Sequence, residues 1–104
     1  MWEVEYTDSA YRDLQGIYDH IADVLLAPSI AQKLTDRIMD TADSLDNMPF
    51  RHRLCDYEPW RSIGWRFVPV DNYLIFYLPD ESLNTVFIMR IMYGGRDMET
   101  HLSE

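Results

Sequence analysis

Apolar residues recur at helical spacing in the first half of this chain and form strand-like runs in the second half. Before residue 50, two stretches place apolar side chains on one face of an amphipathic helix. After residue 62, the chain is rich in β-branched and aromatic residues, which favour strands. Helices that are segregated from most of the strands along a chain are typical of the α+β class, in which the helices cover one face of a sheet.

A short strand opens the chain, and two helices follow it. The first residues, WEVEY, alternate between apolar and acidic side chains, the period-two pattern of a half-buried strand. Thr7 or Asp8 then offers an N-cap, and Pro28 separates the first helix from a second that Ser29 begins with a capping box. Helices joined by so short a turn pack as an antiparallel hairpin. Their apolar stripes are Ala10, Leu14, Ile17, Ile21 and Leu25 in the first helix and Ile30, Leu34, Ile38 and Leu45 in the second.

Three further strands complete the predicted fold. Residues 50–62 lack a clear period and are interpreted as a loop. The elements after this loop are strands at residues 65–70, 73–78 and 85–93, with turns at 71–72, 79–84 and 94–95. The order β-α-α-β-β-β predicts a single domain over residues 1–104, an α+β fold in which a helical hairpin packs on one face of an antiparallel sheet.

The composition limits which cellular compartment and which cofactors we expect for this chain. The hydrophobic share of 47% suffices for a packed interior, and no apolar stretch approaches the roughly 20 residues that cross a bilayer. Cys55 is the one cysteine, so an intramolecular disulfide is excluded, and we expect a cytoplasmic protein without membrane contact. His52 lies close to Cys55 in the sequence, but structural zinc takes about four ligands. We therefore expect neither a metal nor a cofactor.

The charge of the chain is strongly negative and unevenly distributed. Eighteen acidic and nine basic residues give a net charge of −9, which argues against broad binding of nucleic acid. Residues 1–50 hold ten acids and three bases, whereas all six bases of residues 51–104 are arginines. Because the arginine fork matches phosphate and carboxylate groups, a local arginine-lined site is compatible with the acidic whole.

Basic and aromatic residues of the second half are the candidates for binding. Arg51, His52 and Arg53 form a basic group in the predicted loop, suited to phosphate or to an acidic protein partner, and Arg61 lies in the same loop. Tyr93 ends the last strand beside two glycines, and its ordinary alternative is a packed sheet aromatic.

A metal-free ribonuclease would use other residues of this half. It requires a group that takes the 2′-OH proton, a group that protonates the leaving oxygen, and cations that stabilise the transition state. Arg66 and Arg96 are the candidate catalytic cations, and His101, or less favourably Tyr93, is the candidate for proton transfer. Ordinary alternatives stay open for these residues. A strand arginine can pair with a nearby acid or extend to solvent, and this is the expectation for Arg90. His101 can belong to a frayed tail.

Over nearly its whole length the sequence resembles the RelE/ParE superfamily of toxins, also known as plasmid stabilisation proteins. The opening WEVEYTDSAYRDLQGIYDHIA is similar to the family's first strand and helix, and APSIAQKLTDRIMDTADSLDNMPFRHR to its second helix and arginine-containing loop. NYLIFYLP at 72–79 and VFIMRIMYGGRD at 86–97 resemble its Asn-Tyr strand and its Arg-Ile-x-His-Gly-x-Arg-Asp ending. The resemblance implies a bacterial growth inhibitor that a cognate antitoxin wraps and neutralises, as a homodimer or in a hetero-oligomer with the antitoxin.

The resemblance also implies two modes of action. RelE-like members cut mRNA in the ribosomal A site, and ParE-like members poison DNA gyrase without a known nuclease site. Leu74 stands at the position of a RelE catalytic arginine, and a segment with only Arg66 replaces the paired lysines of the preceding strand. Leu102 falls near the terminal catalytic tyrosine, with His101 adjacent, whereas Arg96 matches the family's arginine after the glycine.

These departures favour a gyrase-directed toxin over an mRNA endonuclease, because losing one charge-stabilising group commonly costs about 10²–10³ in rate. The acidic composition points the same way, since positive charge aids docking to ribosomal RNA. A third hypothesis is a detoxified member that keeps the fold and antitoxin binding, and the net charge of −9 is its main support. At the level of sequence, whether the chain is an enzyme stays open.

Overall fold

A four-stranded mixed sheet lies at the centre of the computed structural model, which describes residues 1–95 and 97–103. Its strands, in the order β1-β4-β3-β2 across the sheet, are β1 (Glu3–Tyr6), β2 (Arg66–Val70), β3 (Tyr73–Asp80) and β4 (Thr85–Tyr93). Helices α1 (Asp8–Asp19) and α2 (Pro28–Asp43) cover one face, and the short helices α3 (Trp60–Ile63) and α4 (Met98–Leu102) lie on the other side. The α+β class, the helical hairpin and the order of the main elements are confirmed.

The prediction of an antiparallel sheet is correct for three strands and wrong for the first. β2, β3 and β4 form an antiparallel meander, whereas β1 pairs in parallel with β4, with Glu3 opposite Thr85 and Tyr6 opposite Ile88. The reason lies in the connections. A tight turn makes consecutive strands antiparallel, but β1 is joined to the rest of the sheet through the helical hairpin, which leaves its direction unconstrained.

The start of α1 follows the sequence pattern, and the start of α2 does not. Thr7 Oγ1 accepts a hydrogen bond from the Ala10 amide at 3.1 Å and donates one to the Ile88 carbonyl at 2.9 Å, which ties the helix to β4. At α2 no side chain caps the helix, so the capping box predicted at Ser29 is wrong. Pro28 lies in the first turn instead, where its fixed φ angle favours helix initiation.

The helix-covered face of the sheet carries the larger core. Ile75, Tyr77 and Val86, from β3 and β4, are fully buried there. Full burial of a large apolar side chain stabilises a fold by roughly 1.5–3 kcal/mol, so this interface holds the hairpin on the sheet. The buried helix residues of this core are Ala10, Leu14, Ala31, Leu34, Ile38 and Ala42.

The second face of the sheet carries a smaller core, formed by segments that the sequence left irregular. Residues 50–62, interpreted as a loop, contain most of α3 and the end of a 3₁₀ turn at Pro49–Arg51. The polar tail forms α4, because the Asp97 side chain accepts a hydrogen bond from the Thr100 amide at 3.4 Å and so caps a helix. The buried members of this second core are Cys55, Trp65, Phe76, Met98 and Leu102.

An ion pair joins α1 to the part of β4 that lies beyond its pairing with β1. Asp13 Oδ2, on α1, accepts hydrogen bonds from the Ile91 amide at 2.9 Å and from Arg90 Nε at 2.8 Å. The two side chains are only 16% and 17% exposed. The expected pairing of Arg90 with an acid is confirmed, and its function is to fasten α1 to the sheet edge.

Candidate functional site

A cleft of about 160 Å³ opens on the second face of the sheet, between residues 53–57 and α4. Phe67, Leu74 and Phe76 lie on the sheet side of this cleft, and Met98 lies on the helix side. The sheet side and the Met98 side of the cleft are therefore apolar, and residues 53–57 add polar groups to its rim. Its complete lining is Arg53, Asp56, Tyr57, Phe67, Leu74, Phe76, Gly94 and Met98.

The charges at the rim of the cleft offset one another. The Arg53 guanidinium and the Asp56 carboxylate form two parallel contacts, of 3.4 Å and 3.2 Å. The same guanidinium lies 4.8 Å from the centroid of the Phe67 ring, a cation–π distance. Of the described residues that line the cleft, Arg53 is the one cation, and Asp56 neutralises it locally.

The turn that ends β4 borders the cleft through Gly94. The Gly94 amide donates to the Asn72 carbonyl at 2.8 Å, which holds this turn beside the β2–β3 turn. A Cβ atom at Gly94 would lie 3.1 Å from Leu74 Cγ, so a larger residue here would require this leucine to shift by a few tenths of an ångström. Leu74, at the position where the resemblance implies a catalytic arginine, is thus held in an apolar contact.

Cys55 lies beside the cleft but is not available for chemistry. Its side chain is fully buried in the second core. Burial raises the pKa of its thiol, which stays protonated at neutral pH. A buried thiol is a poor nucleophile, because the reactive species is the exposed thiolate.

Arg66 lies on the opposite face of the sheet from the cleft. It pairs with Tyr77 across β2 and β3, and directly paired residues share a face. Its Nη1 donates to the carbonyl oxygens of His52 at 2.6 Å and Phe50 at 3.3 Å, and its guanidinium lies 5.1 Å from the Phe50 ring centroid. Arg66 therefore binds the backbone of residues 50–52.

Tyr77 holds the same segment. Its hydroxyl donates a hydrogen bond to the Pro49 carbonyl at 2.6 Å, and burial raises the pKa of its phenol to about 12. Arg66 and Tyr77 together fix the chain between α2 and the second core. We refer to these two side chains and their backbone acceptors as the clamp.

The three consecutive basic residues 51–53 have different surroundings. Arg51 donates to the carbonyl oxygens of Asn47 and, at 3.2 Å, Met48. The His52 ring meets the Tyr77 ring edge-on at 6.3 Å, and burial, followed by the Arg51 charge, lowers the pKa of His52. Since Arg53 reaches over the cleft, the structure does not bring the three predicted binding residues together as one basic patch.

The other two predicted binding residues make different contacts. Arg61, on α3, donates from Nη1 to the Cys55 carbonyl at 3.3 Å. Tyr93 is 47% exposed and packs edge-on against Tyr73, with ring centroids 5.7 Å apart. It borders a shallow hollow with Leu74 and Gly94, next to the cleft. Tyr93 is thus the member of this pair that adjoins the cleft.

The predicted catalytic residues do not converge where the structure describes them. His101 belongs to α4, which packs on the second face, and Arg66 lies on the helix-covered face. Hydrogen bonds from Thr100, aided by His101, hold the pKa of Asp97 below its usual range. Arg96 lies outside the described residues.

Two further observations concern metal binding and membrane insertion in residues 1–95 and 97–103. These residues contain no group of three or more His, Cys, Asp or Glu side chains placed to hold a metal ion. None of their helices is long and apolar enough to cross a membrane.

Comparison with known families identifies the chain. A family model described as the ParE toxin of the type II toxin–antitoxin system parDE matches residues 4–98. The chain belongs to the ParE toxin family.

Solved structures share the fold of this ParE toxin. A chain of the chromosomal ParDE toxin–antitoxin system from P. aeruginosa has a TM-score of 0.73 and 24% identity, over 89% of this chain and 96% of that one. The RelBE2 toxin–antitoxin complex from Mycobacterium tuberculosis gives 0.62 and 23%, over 88% and 90%. The isolated E. coli RelE toxin gives 0.56 and 9%, over 99% and 96%. A comparison with curated proteins finds no match.

Sequence reasoning missed the apolar character of the cleft in this ParE toxin. It selected charged residues, because catalysis requires them, so Arg53 is the one lining residue of the cleft that it chose as a binding candidate. Two signals were available. Phe67 precedes a buried valine and so faces the other side of the sheet, and Met98 and Leu102 are one helical turn apart. Chemically, such a cleft is suited to an apolar side chain and has few groups for charge stabilisation.

Proposed function

We propose that this ParE toxin arrests bacterial growth by poisoning DNA gyrase in the cytoplasm, and that a cognate antitoxin neutralises it. Membership of the ParE toxin family supports the toxin role. The fold it shares with ParDE and RelBE complexes supports an antitoxin as the partner. The competing activity, cleavage of mRNA on the ribosome, makes different demands on the toxin's surface.

The observation that carries the gyrase mode is the apolar floor of the cleft. A metal-free nuclease must surround the scissile phosphate with cations and proton-transfer groups. Leu74, Phe67 and Phe76 occupy this surface instead, and the Asp56 carboxylate offsets the charge of Arg53. A phosphate in the described part of this cleft would lose its hydration without gaining a compensating charge.

The position of Arg66 supports the same choice. A general acid or base must come within hydrogen-bond reach of the reacting atoms. The sheet separates Arg66 from His101, and the guanidinium of Arg66 already donates to the His52 and Phe50 carbonyl oxygens. Arg66 is therefore better explained as a structural residue than as a catalytic cation.

The first test is biochemical. Purified toxin is incubated with DNA gyrase, ATP and supercoiled plasmid, and the products are resolved after detergent and protease treatment. We expect linear plasmid, the product of trapped cleavage complexes, and no cut mRNA in a parallel reaction with translating ribosomes. Cut mRNA with intact plasmid would contradict the proposal and establish the endonuclease.

The second test is made in cells, by inducing the toxin and pulse-labelling DNA and protein synthesis in parallel. We expect DNA synthesis to fall while translation continues. An early fall in translation that Arg96→Ala abolishes would contradict the proposal, and unimpaired growth would indicate a detoxified member.

A histidine variant separates the two modes further. His101→Ala removes the imidazole on α4, and the gyrase mode predicts that growth arrest persists, whereas the nuclease mode predicts a loss of about 10²-fold or more in cleavage rate. His20→Ala, in an exposed position after α1, is the matched control. Growth curves after induction at equal protein levels provide the measurement. Loss of arrest in the His101 variant alone would count against gyrase poisoning.

A further inference from the structure

The connection between α1 and α2 carries a group of exposed apolar side chains. Val24, Leu25 and Leu26 follow one another in this connection and are 66%, 60% and 82% exposed. Ile30, in the first turn of α2, is 61% exposed. We call these four side chains the apolar tip. The helical spacing predicted that Leu25 and Ile30 belong to the buried stripes of the two helices, and for these two residues the prediction is wrong.

The backbone of the apolar tip is strained. After α1 the chain passes through a π-helical turn at His20–Val24, in which the Leu25 amide donates to the His20 carbonyl at 3.1 Å. Leu26 then adopts a left-handed conformation, with a φ angle of 54°. Glycine is the usual residue where a helix ends in this conformation, because a Cβ atom is strained there. Leucine at this position therefore costs stability, and burial of its side chain does not offset that cost.

Strain and exposure coincide at the tip, which favours a functional explanation. Unfavourable backbone conformations and π-helical turns are both frequent at functional sites. At the β2–β3 and β3–β4 turns the left-handed conformation is adopted by Asp71 and Asn84, residue types that tolerate it. Met48 also adopts it, but Met48 lines a hollow together with the charged residues Asp46 and Arg51. The tip differs because its exposed residues are apolar and consecutive, and contiguous apolar patches mark interaction surfaces.

The apolar tip is uncharged, although the helical half around it is acidic. Residues 24–32, with the sequence VLLAPSIAQ, contain no charged side chain. Asp19 and Asp23 precede the tip, and Lys33 follows it on α2, all three exposed. The end of the helical hairpin thus presents an apolar surface with acidic side chains next to it.

We propose that the apolar tip is the anchor with which the toxin docks on DNA gyrase, in an apolar pocket of the enzyme that basic side chains surround. Leu25 and Leu26 enter the pocket, and the acidic surface of the helical half faces the basic groups around it. The inference rests on the proposed function, which makes gyrase the target. A few apolar side chains at the centre of an interface commonly supply most of its affinity.

Charge favours a DNA-binding enzyme over the other occupants that the tip could take. Enzymes that hold DNA present basic surfaces, and these attract a chain with a net charge of −9 at long range. DNA itself and an anionic bilayer repel such a chain. A second copy of the toxin brings the same acidic residues, and the four side chains of the tip are far fewer than the roughly 20–30 residues that each partner contributes to a stable interface.

Binding of toxin variants to intact gyrase tests the tip. Leu25→Ser with Leu26→Gly, the tip variant, should weaken binding about 30-fold or more, because two buried leucines would be lost from the interface. Its urea midpoint, measured first, should equal or exceed that of the wild type, since both leucines are exposed and glycine relieves the strain at position 26. Unchanged gyrase binding by the tip variant would overturn the proposal.

A second variant and a matched control locate the effect. Ile30→Ser, at the start of α2, should weaken binding about fivefold, since it removes a single apolar side chain from the tip. Ile63→Ser with Leu83→Ser removes two other exposed apolar side chains, from α3 and the β3–β4 turn, and should change binding less than about twofold. An equal loss in this control and in the tip variant would overturn the proposal.

The rates of binding separate the charges from the anchor. Association of the wild type should slow between about 0.05 M and 0.3 M sodium chloride, because salt screens the attraction to basic groups. The tip variant should mainly dissociate faster, because buried contacts affect dissociation more than association. Association that does not depend on salt would overturn the assignment of a basic surface around the pocket.

Cleavage of plasmid by gyrase distinguishes this proposal from the proposed function. We expect linear plasmid with the wild-type toxin and much less with the tip variant. Equal amounts from both would overturn the role of the tip and leave gyrase poisoning standing. No linear plasmid from the wild type would overturn gyrase poisoning and, with it, the role of the tip. A toxin dimer, or binding to phosphatidylcholine vesicles, that the tip variant abolishes would identify a different occupant and overturn the proposal.

Discussion

Arg66 and Tyr77 stand opposite each other on β2 and β3, and both donate hydrogen bonds to the backbone between Pro49 and His52. A charged side chain on a strand attracts a catalytic interpretation because burying a cation is costly. Here backbone carbonyl oxygens receive that cation, together with the face of the Phe50 ring. At the residue scale, these contacts hold the Nη1 end of the guanidinium, whereas the buried Nε has no hydrogen-bond partner among the described residues.

The clamp predicts a stability effect at these residues. Arg66→Ala should lower the free energy of unfolding by about 2–3 kcal/mol, since hydrogen bonds to charged groups contribute roughly 1.5–3 kcal/mol. Urea denaturation provides the measurement, and Arg61→Ala, with its exposed side chain and single backbone contact, is the control expected to cost about 0.5 kcal/mol. Unaltered stability with lost toxicity in Arg66→Ala would show a functional rather than a structural role.

The lowered pKa of His52 predicts that the stability of the fold depends on pH. Because the pKa of the folded imidazole is below its ordinary value of 6.5, the unfolded chain binds this proton first as the pH falls. The free energy of unfolding should therefore decrease as the pH drops from about 7 to about 5, in the window of an ordinary histidine. His52→Phe, which keeps an aromatic ring against Tyr77, should reduce this slope in urea titrations at each pH. An equal slope in the variant would refute the prediction.

At the scale of elements, α4 shows how packing forms a helix that is too short to form alone. Five residues are far below the length at which an isolated helix is stable, about 12–15. Asp97 caps its first turn, and Met98 and Leu102 supply a buried face against the second core. Without that core, this segment would have little reason to be helical.

Leu102→Ala should therefore both destabilise the fold and loosen α4. The expected loss is about 2–3 kcal/mol, at the lower end of the range for leucine truncation in a core. Faster amide exchange in α4 and increased binding of a hydrophobic dye would show that the cleft has opened. Leu83→Ala is the control, because Leu83 is 61% exposed in the β3–β4 turn. Equal effects of the two substitutions would show that α4 does not depend on its buried face.

At the scale of the whole molecule, the negative charge is concentrated on the helical half. Residues 1–50 carry ten acids against three bases, and they include both long helices. Like charges on one surface destabilise the folded state through self-repulsion, and salt screens them over roughly 10 Å at 0.1 M. The isolated toxin should thus be less stable at low ionic strength than at physiological ionic strength.

Thermal unfolding at several salt concentrations tests this repulsion. We expect the midpoint to rise by a few degrees between roughly 0.01 M and 0.3 M sodium chloride, as screening lengths shorten. Asp36→Asn with Asp40→Asn should show a smaller rise, and the control pair Glu81→Gln with Glu99→Gln a rise close to that of the wild type. A midpoint independent of salt in all three proteins would contradict the prediction.

The sequence predicted the elements well because their apolar patterns repeat over many residues. The stripes of α1 and α2 and the aromatic run of β3 leave little choice of structure. Contacts between distant segments leave no such pattern. Neither the parallel pairing of Glu3 with Thr85 nor the placement of Arg66 and His101 on opposite faces depends on a local spacing. The sequence therefore indicated individual candidate residues, but not how they are arranged around the cleft.

The parallel pairing of β1 with β4 has a consequence for the timing of synthesis. Glu3 leaves the ribosome about 80 residues before its partner Thr85, and at roughly 5–20 residues per second that interval lasts several seconds. In this interval β1 has no neighbouring strand, since β4 is its one partner among the described strands. Any activity that depends on the finished sheet begins only after β4 has been synthesised.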